Sequence, residues 1–164
     1  MTEKGELPLR VTHNDTKLNN VMFDKDTNKC VCVIDLDTVM PGLALYDFGD
    51  SIRFGASTAA EDETDLDKVE MDLDYFKAYA EGFLGEAGEY FNQAEIDNLA
   101  FASKLMTLEC GMRFLTDYIN GDVYFRTEYP EHNLDRARNQ FKLVADMDSK
   151  MDKMEEIIKN IQKA

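Results

Sequence analysis

Apolar positions along the chain change their period twice. Leu7, Leu9 and Val11 alternate with other residues, which predicts a short strand leading into the polar stretch that begins at His13. Val21, Met22 and Phe23 read as a second strand, and Cys30 to Ile34 as a third, mostly buried one. Asp24-Lys25-Asp26-Thr27-Asn28-Lys29 between them has the composition of a turn. From Leu73 onward the steps lengthen to three and four. Leu73, Phe76, Tyr79, Ala80, Phe83 and Leu84 share one helical face. Asn92 with Glu95 three residues on is a helix-start signal. It precedes a long amphipathic segment with Ile96, Leu99, Ala100, Leu105, Leu108, Met112, Leu115 and Ile119 near one stripe. Asn133 is the expected cap of a last helix bearing Ala137, Phe141, Val144, Met147, Met151, Met154, Ile158 and Ile161. Those spacings predict core packing. The Met-rich end is alternatively a surface for a partner, because methionine adapts to irregular contacts.

The expected fold class is therefore α+β and predominantly helical, with a small β-hairpin at the N-terminal end. The 164 residues suit a single domain, 1–164, long enough to bury a core. Composition narrows the partners. A net charge of −15 argues against nonspecific nucleic-acid binding, which needs Lys and Arg on phosphates. No apolar run of about 18 residues is present, so a membrane span is not expected. Three cysteines fit neither a paired disulfide framework nor a zinc spacing, which points to a reducing, cytoplasmic setting. None of Cys30, Cys32 and Cys110 opens a C-x-P-x-R sequence, so a formylglycine sulfatase is excluded. The acidic run from Glu61 to Asp74 reads as a solvated loop and helix start, since it lacks the grammar of a calcium loop.

The chemistry concentrates in His13-Asn14-Asp15-Thr16-Lys17-Leu18-Asn19-Asn20 and in Asp35, inside Val33-Ile34-Asp35-Leu36. An acid, an amide and a second acid in this order suit phosphoryl transfer. One Asp orients and deprotonates the attacking hydroxyl, and the Asn and later Asp offer oxygens to magnesium. A hairpin of the second and third strands would carry Asp35 back beside Asn20. An unpaired carboxylate in an apolar strand is costly to bury, which favours a metal or donor partner for Asp35.

These residues resemble the aminoglycoside phosphotransferase and choline kinase group. It carries H-x-D-x-x-x-x-N, then I-D with a further polar residue, then a later Asp followed by an apolar residue. Here these are His13/Asp15/Asn20, Ile34-Asp35-Leu36-Asp37 and Asp47-Phe48. Within the group the chain is most similar to N-acetylhexosamine 1-kinases, over His13 to Phe23, Val33 to Gly42, Leu108 to Tyr118, Gly121 to Phe125 and His132 to Arg138. The resemblance implies a protein-kinase-like C-terminal lobe whose hairpin carries the catalytic and metal loops. It implies Asp15 as catalytic base, Asn20 and Asp35 as Mg2+ ligands, His13 as a structural member and Asp47 as a brace. It also implies Lys17 at the transferred phosphate, and Arg113 and Tyr124 at a sugar, with ATP as phosphate donor. Asn14 stands where many relatives have Gly, and Asp37 where protein kinases place Gly.

No G-x-G-x-x-G and no G-x-x-x-x-G-K-[ST] occurs in the chain. The resemblance thus covers the C-terminal lobe, with the N-terminal nucleotide lobe absent, and the expected result is a polypeptide with little kinase activity. Strands meant to be covered by that lobe would then be exposed and available for self-association. Two further functional readings stay open: a choline- or aminoglycoside-type kinase lobe, and a non-enzymatic binding module.

Overall fold

The computed structural model describes residues 1–163. Four short strands come first: β1 (Arg10–Thr12), β2 (Val21–Phe23), β3 (Cys30–Val33) and β4 (Met40–Gly42). They form two separate antiparallel ribbons, β1 with β4 and β2 with β3, in the registers Arg10 to Gly42 and Val21 to Val33. Five helices follow: α1 (Ala44–Gly55), α2 (Leu73–Ala87), α3 (Gln93–Asp97), α4 (Leu99–Ile119) and α5 (His132–Ile161). The molecule is thus mostly helical, with a minor β component. None of its described helices is long and apolar enough to cross a membrane.

The core lies among the helices. α4 packs against α1 on one side and α5 on the other, and α2 closes over α1 and α5. Phe48 of α1 is fully buried at its centre, edge-on to Phe76, Tyr79 and Phe83 of α2. Such offset aromatic contacts add to the large apolar area each ring removes from water. Met147, Met154 and Ile158 of α5 are buried in the same cluster, so the Met-rich end packs within the chain. Gly49 lets α1 approach α4 closely. A Cβ there would lie 2.5 Å from the Ala102 carbonyl oxygen and 2.6 Å from Met106 Cγ.

Local signals set the helix ends. Asn92 and Glu95 form a reciprocal capping box at α3. Glu95 additionally binds Arg10 of β1 through Nε at 2.6 Å and Nη2 at 2.7 Å, which ties the first strand to the helical body. Asp72 caps α2 by accepting from the N–H groups of Asp74 and Tyr75.

Several expectations are corrected. The first strand begins at Arg10, later than the alternation suggests, and Leu9 and Val11 are 67% and 83% exposed. β3 is exposed along its whole length rather than buried, because the β2–β3 ribbon stands off the helices with no layer over it. α1 was not anticipated, although Leu45, Phe48 and Ile52 keep helical steps. Asn133 does not cap α5. It lies inside the first turn, fully buried, and bonds back to the preceding loop. The acidic run is more than a solvated loop: Val69 and Met71 within it are buried, and Asp146 of α5 accepts the Met71 N–H at 2.7 Å.

Candidate active site

Asp47, in the first turn of α1, organises the loop between β1 and β2. Its Oδ2 accepts the His13 N–H at 2.9 Å and its Oδ1 the Asn14 N–H at 2.7 Å. A carboxylate near a helix N-terminus is also favourably placed in the helix field. The Asp47 carbonyl takes the Thr16 hydroxyl at 2.6 Å, and Ser51 Oγ donates to the Thr16 carbonyl at 3.0 Å. The loop is therefore fastened to α1 at His13, Asn14 and Thr16. Asn14 has φ +63°, the left-handed conformation that Gly adopts freely and Asn tolerates better than most residues. Its Nδ2 donates to the Thr38 carbonyl at 3.0 Å, which holds the loop to the turn before β4.

Asp15 follows directly. Asn20 Nδ2 donates to both the Asp15 carbonyl and Asp15 Oδ2, each at 2.8 Å, and Lys17 Nζ lies 2.9 Å from the same Oδ2. Both side-chain contacts engage one carboxylate oxygen, leaving Oδ1 as the unengaged one. The Asn20 amide uses only its nitrogen in these bonds, so its Oδ1 remains as a donor oxygen. His13 Nε2 lies 3.0 Å from the Ile34 carbonyl, and a carbonyl only accepts, so Nε2 carries the proton.

The β2–β3 ladder extends one step past Val21 and Val33, with the Ile34 N–H on the Asn20 carbonyl at 2.9 Å. Asp35 is the next residue, at φ +60°, and it is exposed. The desolvation argument for its partner therefore does not apply. Its position rests on the ribbon register and on His13, which grips the same Ile34.

A cavity of about 480 Å³ opens beside Asp15. Asp15, Lys17, Arg113 and Tyr124 all line it; Asn20, Asp35, His13 and Asp47 do not. Arg113 lies over the rings of Tyr124 and Phe125, at 5.7 and 5.4 Å from their centroids, and Tyr124 is 72% exposed. Asp50, Arg53, Glu61, Cys110, Arg126 and Arg136 also line it, and the sequence assigned none of them to a site. Arg53 is buried; its Nε donates to Asp50 Oδ1 at 2.9 Å and its Nη1 to Glu61 Oε1 at 2.6 Å. Burial opposes the Arg53 charge, but Cys110, Asp50 and Glu61 together outweigh it and hold the pKa above the ordinary value. Asp50 Oδ2 and Arg136 Nε are buried without a hydrogen-bond partner among the described residues. Burial first, then Glu61 and Asp50 against the opposing Arg53, push the Cys110 thiol up to about 12. It stays protonated at neutral pH and is no nucleophile. The sequence signal for Asp50 and Arg53 was the helical stepping of α1. Glu61 was legible only as the start of the acidic run and Arg136 only as part of the His132 to Arg138 stretch, because the two meet only in the folded chain.

The donor set suits a hard cation. Asn20 Oδ1 and the Asp35 carboxylate are oxygens on neighbouring backbone positions, and magnesium keeps several waters beside one or two protein ligands. No cluster of three or more His, Cys, Asp or Glu side chains placed for a metal occurs among the described residues.

The chain matches a family model described as the phosphotransferase enzyme family (APH) over residues 2–84. The match spans just over half the chain. It takes in both ribbons, the Asp15 loop and α1, and ends within α2 before the wall that bears Arg113 and Tyr124.

Proposed function

This chain belongs to the phosphotransferase enzyme family, and on that premise we propose that it is the catalytic and acceptor-binding lobe of an ATP-dependent small-molecule kinase. The acceptor is an N-acetylhexosamine, phosphorylated at its anomeric hydroxyl. One observation carries this reading: Asp15 shares a cavity with an Arg113–Tyr124 wall whose charge is nearly balanced. Lys17, Arg53, Arg113, Arg126 and Arg136 meet Asp15, Asp50, Glu61 and Glu109 there, in a chain of net charge −15. A choline or aminoglycoside acceptor is cationic and calls for a carboxylate-rich pocket. A neutral sugar calls for mixed donors and acceptors, which an Arg fork, a phenol and carboxylates supply.

In this mechanism Asp15 Oδ1 accepts the proton of the attacking hydroxyl. Asn20 Nδ2 and Lys17 hold the other oxygen and so fix the carboxylate's direction. Lys17 also offers positive charge to the transferred phosphate. Asn20 and Asp35 would hold Mg2+, which when bound neutralises charge on the phosphate oxygens. His13 and Asp47 are structural: one grips Ile34, the other the loop backbone.

The remaining nucleotide contacts come from a second, N-terminal lobe seated on the exposed apolar face. Leu9 lies open just before β1, and Val11, Met22, Phe23, Val31 and Val33 lie open on the ribbons. Large apolar patches open to water mark interaction sites. Chains without that lobe are expected to self-associate through this face, read as a mass that rises with concentration in light scattering. A monodisperse monomer throughout the range refutes it.

The functional test has two parts. Mn2+ in place of Mg2+ should broaden the amide resonances of Asn20 and Asp35 before others. The chain alone should turn over little ATP with N-acetylglucosamine. Joined to a nucleotide-binding lobe it should phosphorylate the sugar, and Asp15→Asn should lower that rate by about 10²–10⁴-fold. Preference for choline over hexosamines, or an Asp15→Asn variant of full activity, would falsify the assignment.

A further inference from the structure

The loop 121–125 between α4 and α5 carries Tyr124 to the cavity, and the groups that hold it take no part in phosphate transfer. Asp117, near the end of α4, is only 4% exposed. Its Oδ1 accepts the N–H of Val123 at 3.0 Å and of Tyr124 at 2.9 Å. Its Oδ2 accepts the N–H of Phe125 and the Nδ2 of Asn133, both at 2.9 Å. Asn133 Nδ2 also donates to Asp122 Oδ1 at 2.9 Å, so one amide nitrogen joins the loop to the start of α5. Gly121 at φ +89° and Asp122 at φ +57° are both left-handed, which turns three successive N–H groups toward one carboxylate. Concave arrays of backbone N–H groups bind anions, and here the anion is built into the helix. Burial pushes the Asp117 pKa up. The N–H groups of Phe125, Tyr124 and Val123, with the Asn133 amide, outweigh it and hold the pKa below the ordinary carboxylate value. The charged form is therefore the one that organises the loop.

The consequence reaches the cavity through two rings. Phe125 packs on Phe114 of α4 with centroids 4.7 Å apart, and Arg113 spans Tyr124 and Phe125. Tyr124 is mostly exposed, so its own packing does not hold it. Its backbone N–H on Asp117 does.

We propose that Asp117 is a positioning residue for the acceptor substrate: with Asn133 it sets the Gly121–Phe125 loop so that Tyr124 and Arg113 form the wall on which a sugar ring rests. This assignment rests on the sugar-kinase reading above.

The test compares Asp117→Asn, Tyr124→Ala and the double variant of the full chain. In Asp117→Asn an amide NH2 replaces one acceptor oxygen and meets N–H donors. The amides of Val123, Tyr124 and Phe125 should then exchange with solvent at least about 10-fold faster, while Ile34 keeps its protection. The Kd for N-acetylglucosamine, from NMR titration, should rise by about 10- to 100-fold, the weight of a charge-assisted hydrogen bond. Because Asp117 acts through Tyr124, adding Asp117→Asn to Tyr124→Ala should weaken binding less than about twofold further. Unchanged exchange at the three amides overturns the proposal. So does an equal loss of affinity in both backgrounds, which is the mark of a general structural role. Hexosamine binding that ignores Asp117→Asn sinks this inference alone. A wild-type chain that binds no hexosamine sinks the sugar reading and the role of Asp117 with it.

Discussion

Gly49→Ala is expected to destabilise the chain by about 3 kcal/mol, near the upper end for an overpacked site. The added Cβ would stand 2.5 Å from the Ala102 carbonyl oxygen and 2.9 Å from its carbon, both backbone atoms of α4 that cannot swing aside. Relief requires α1 and α4 to separate, and α1 carries both Phe48 and Asp47. A thermal melt followed by circular dichroism should fall by roughly 6–12 °C for a domain of this size. Gly82→Ala, on α2, is the matched control. A Cβ there meets nothing within 4 Å. In a helix interior that change should be neutral or stabilising, by up to about 1 kcal/mol. Equal melting of Gly49→Ala and wild type would mean that the two helices do not approach as closely as described.

Asp47→Ala should cost about 2–4 kcal/mol and, more tellingly, should release the loop that presents Asp15. Two backbone N–H groups, those of His13 and Asn14, lose a charged acceptor at once. Each donor left without a partner costs about 1–3 kcal/mol when water cannot replace it. Asn14 sits in the left-handed region, a conformation that persists only while its surroundings hold it. Freed from Asp47, it should relax and carry Asp15 away from Asn20. Amide exchange at His13 and Asn14 should accelerate, and Mn2+ broadening at Asn20 should weaken at temperatures where the variant is still folded. Asp47→Asn keeps one acceptor and sets an NH2 against the other N–H, so it should fall between the two. If Asp47→Ala melts lower yet binds Mn2+ as wild type does, the loop does not depend on this carboxylate.

Both substitutions fall on α1, the helix that the sequence pattern concealed. The stretch Tyr46-Asp47-Phe48-Gly49-Asp50 contains two acids and a glycine, a composition that suggests a turn more readily than a helix. The apolar steps at Leu45, Phe48 and Ile52 were present, but the segment is short and weakly marked. In α2, α4 and α5 the same periodicity runs for many turns, and it was legible for that reason. The capping box at Asn92 and Glu95 was legible too, because both partners belong to one local motif. Asn133 misled for the converse reason. A cap-forming residue type at a helix start looks the same in sequence whether it bonds its own helix or a loop carboxylate.

The site divides along the same line. His13, Asp15, Asn20 and Asp35 were singled out by order and spacing, since all lie on one stretch of chain whose turns are local; of the four, Asp15 lines the cavity. That β3 would be exposed was not readable. Apolar composition records a residue's transfer preference, while burial depends on whether another layer covers the strand, and a lone two-stranded ribbon has none.

Sequence by itself determined the α-helical periodicity, the loop that bears Asp15, and the order of its polar groups. These follow from side-chain period and turn chemistry within a few residues. The family resemblance implied a bracing role for Asp47, and the tertiary structure supplied its contacts, which fasten that loop from across 33 and 34 residues. Tertiary structure alone brought Arg53, Glu61, Arg113, Tyr124 and Arg136 around one cavity, and gave Asp117 four donors to hold. Those contacts join groups far apart in the chain, and their geometry exists only after helix packing has fixed which faces meet.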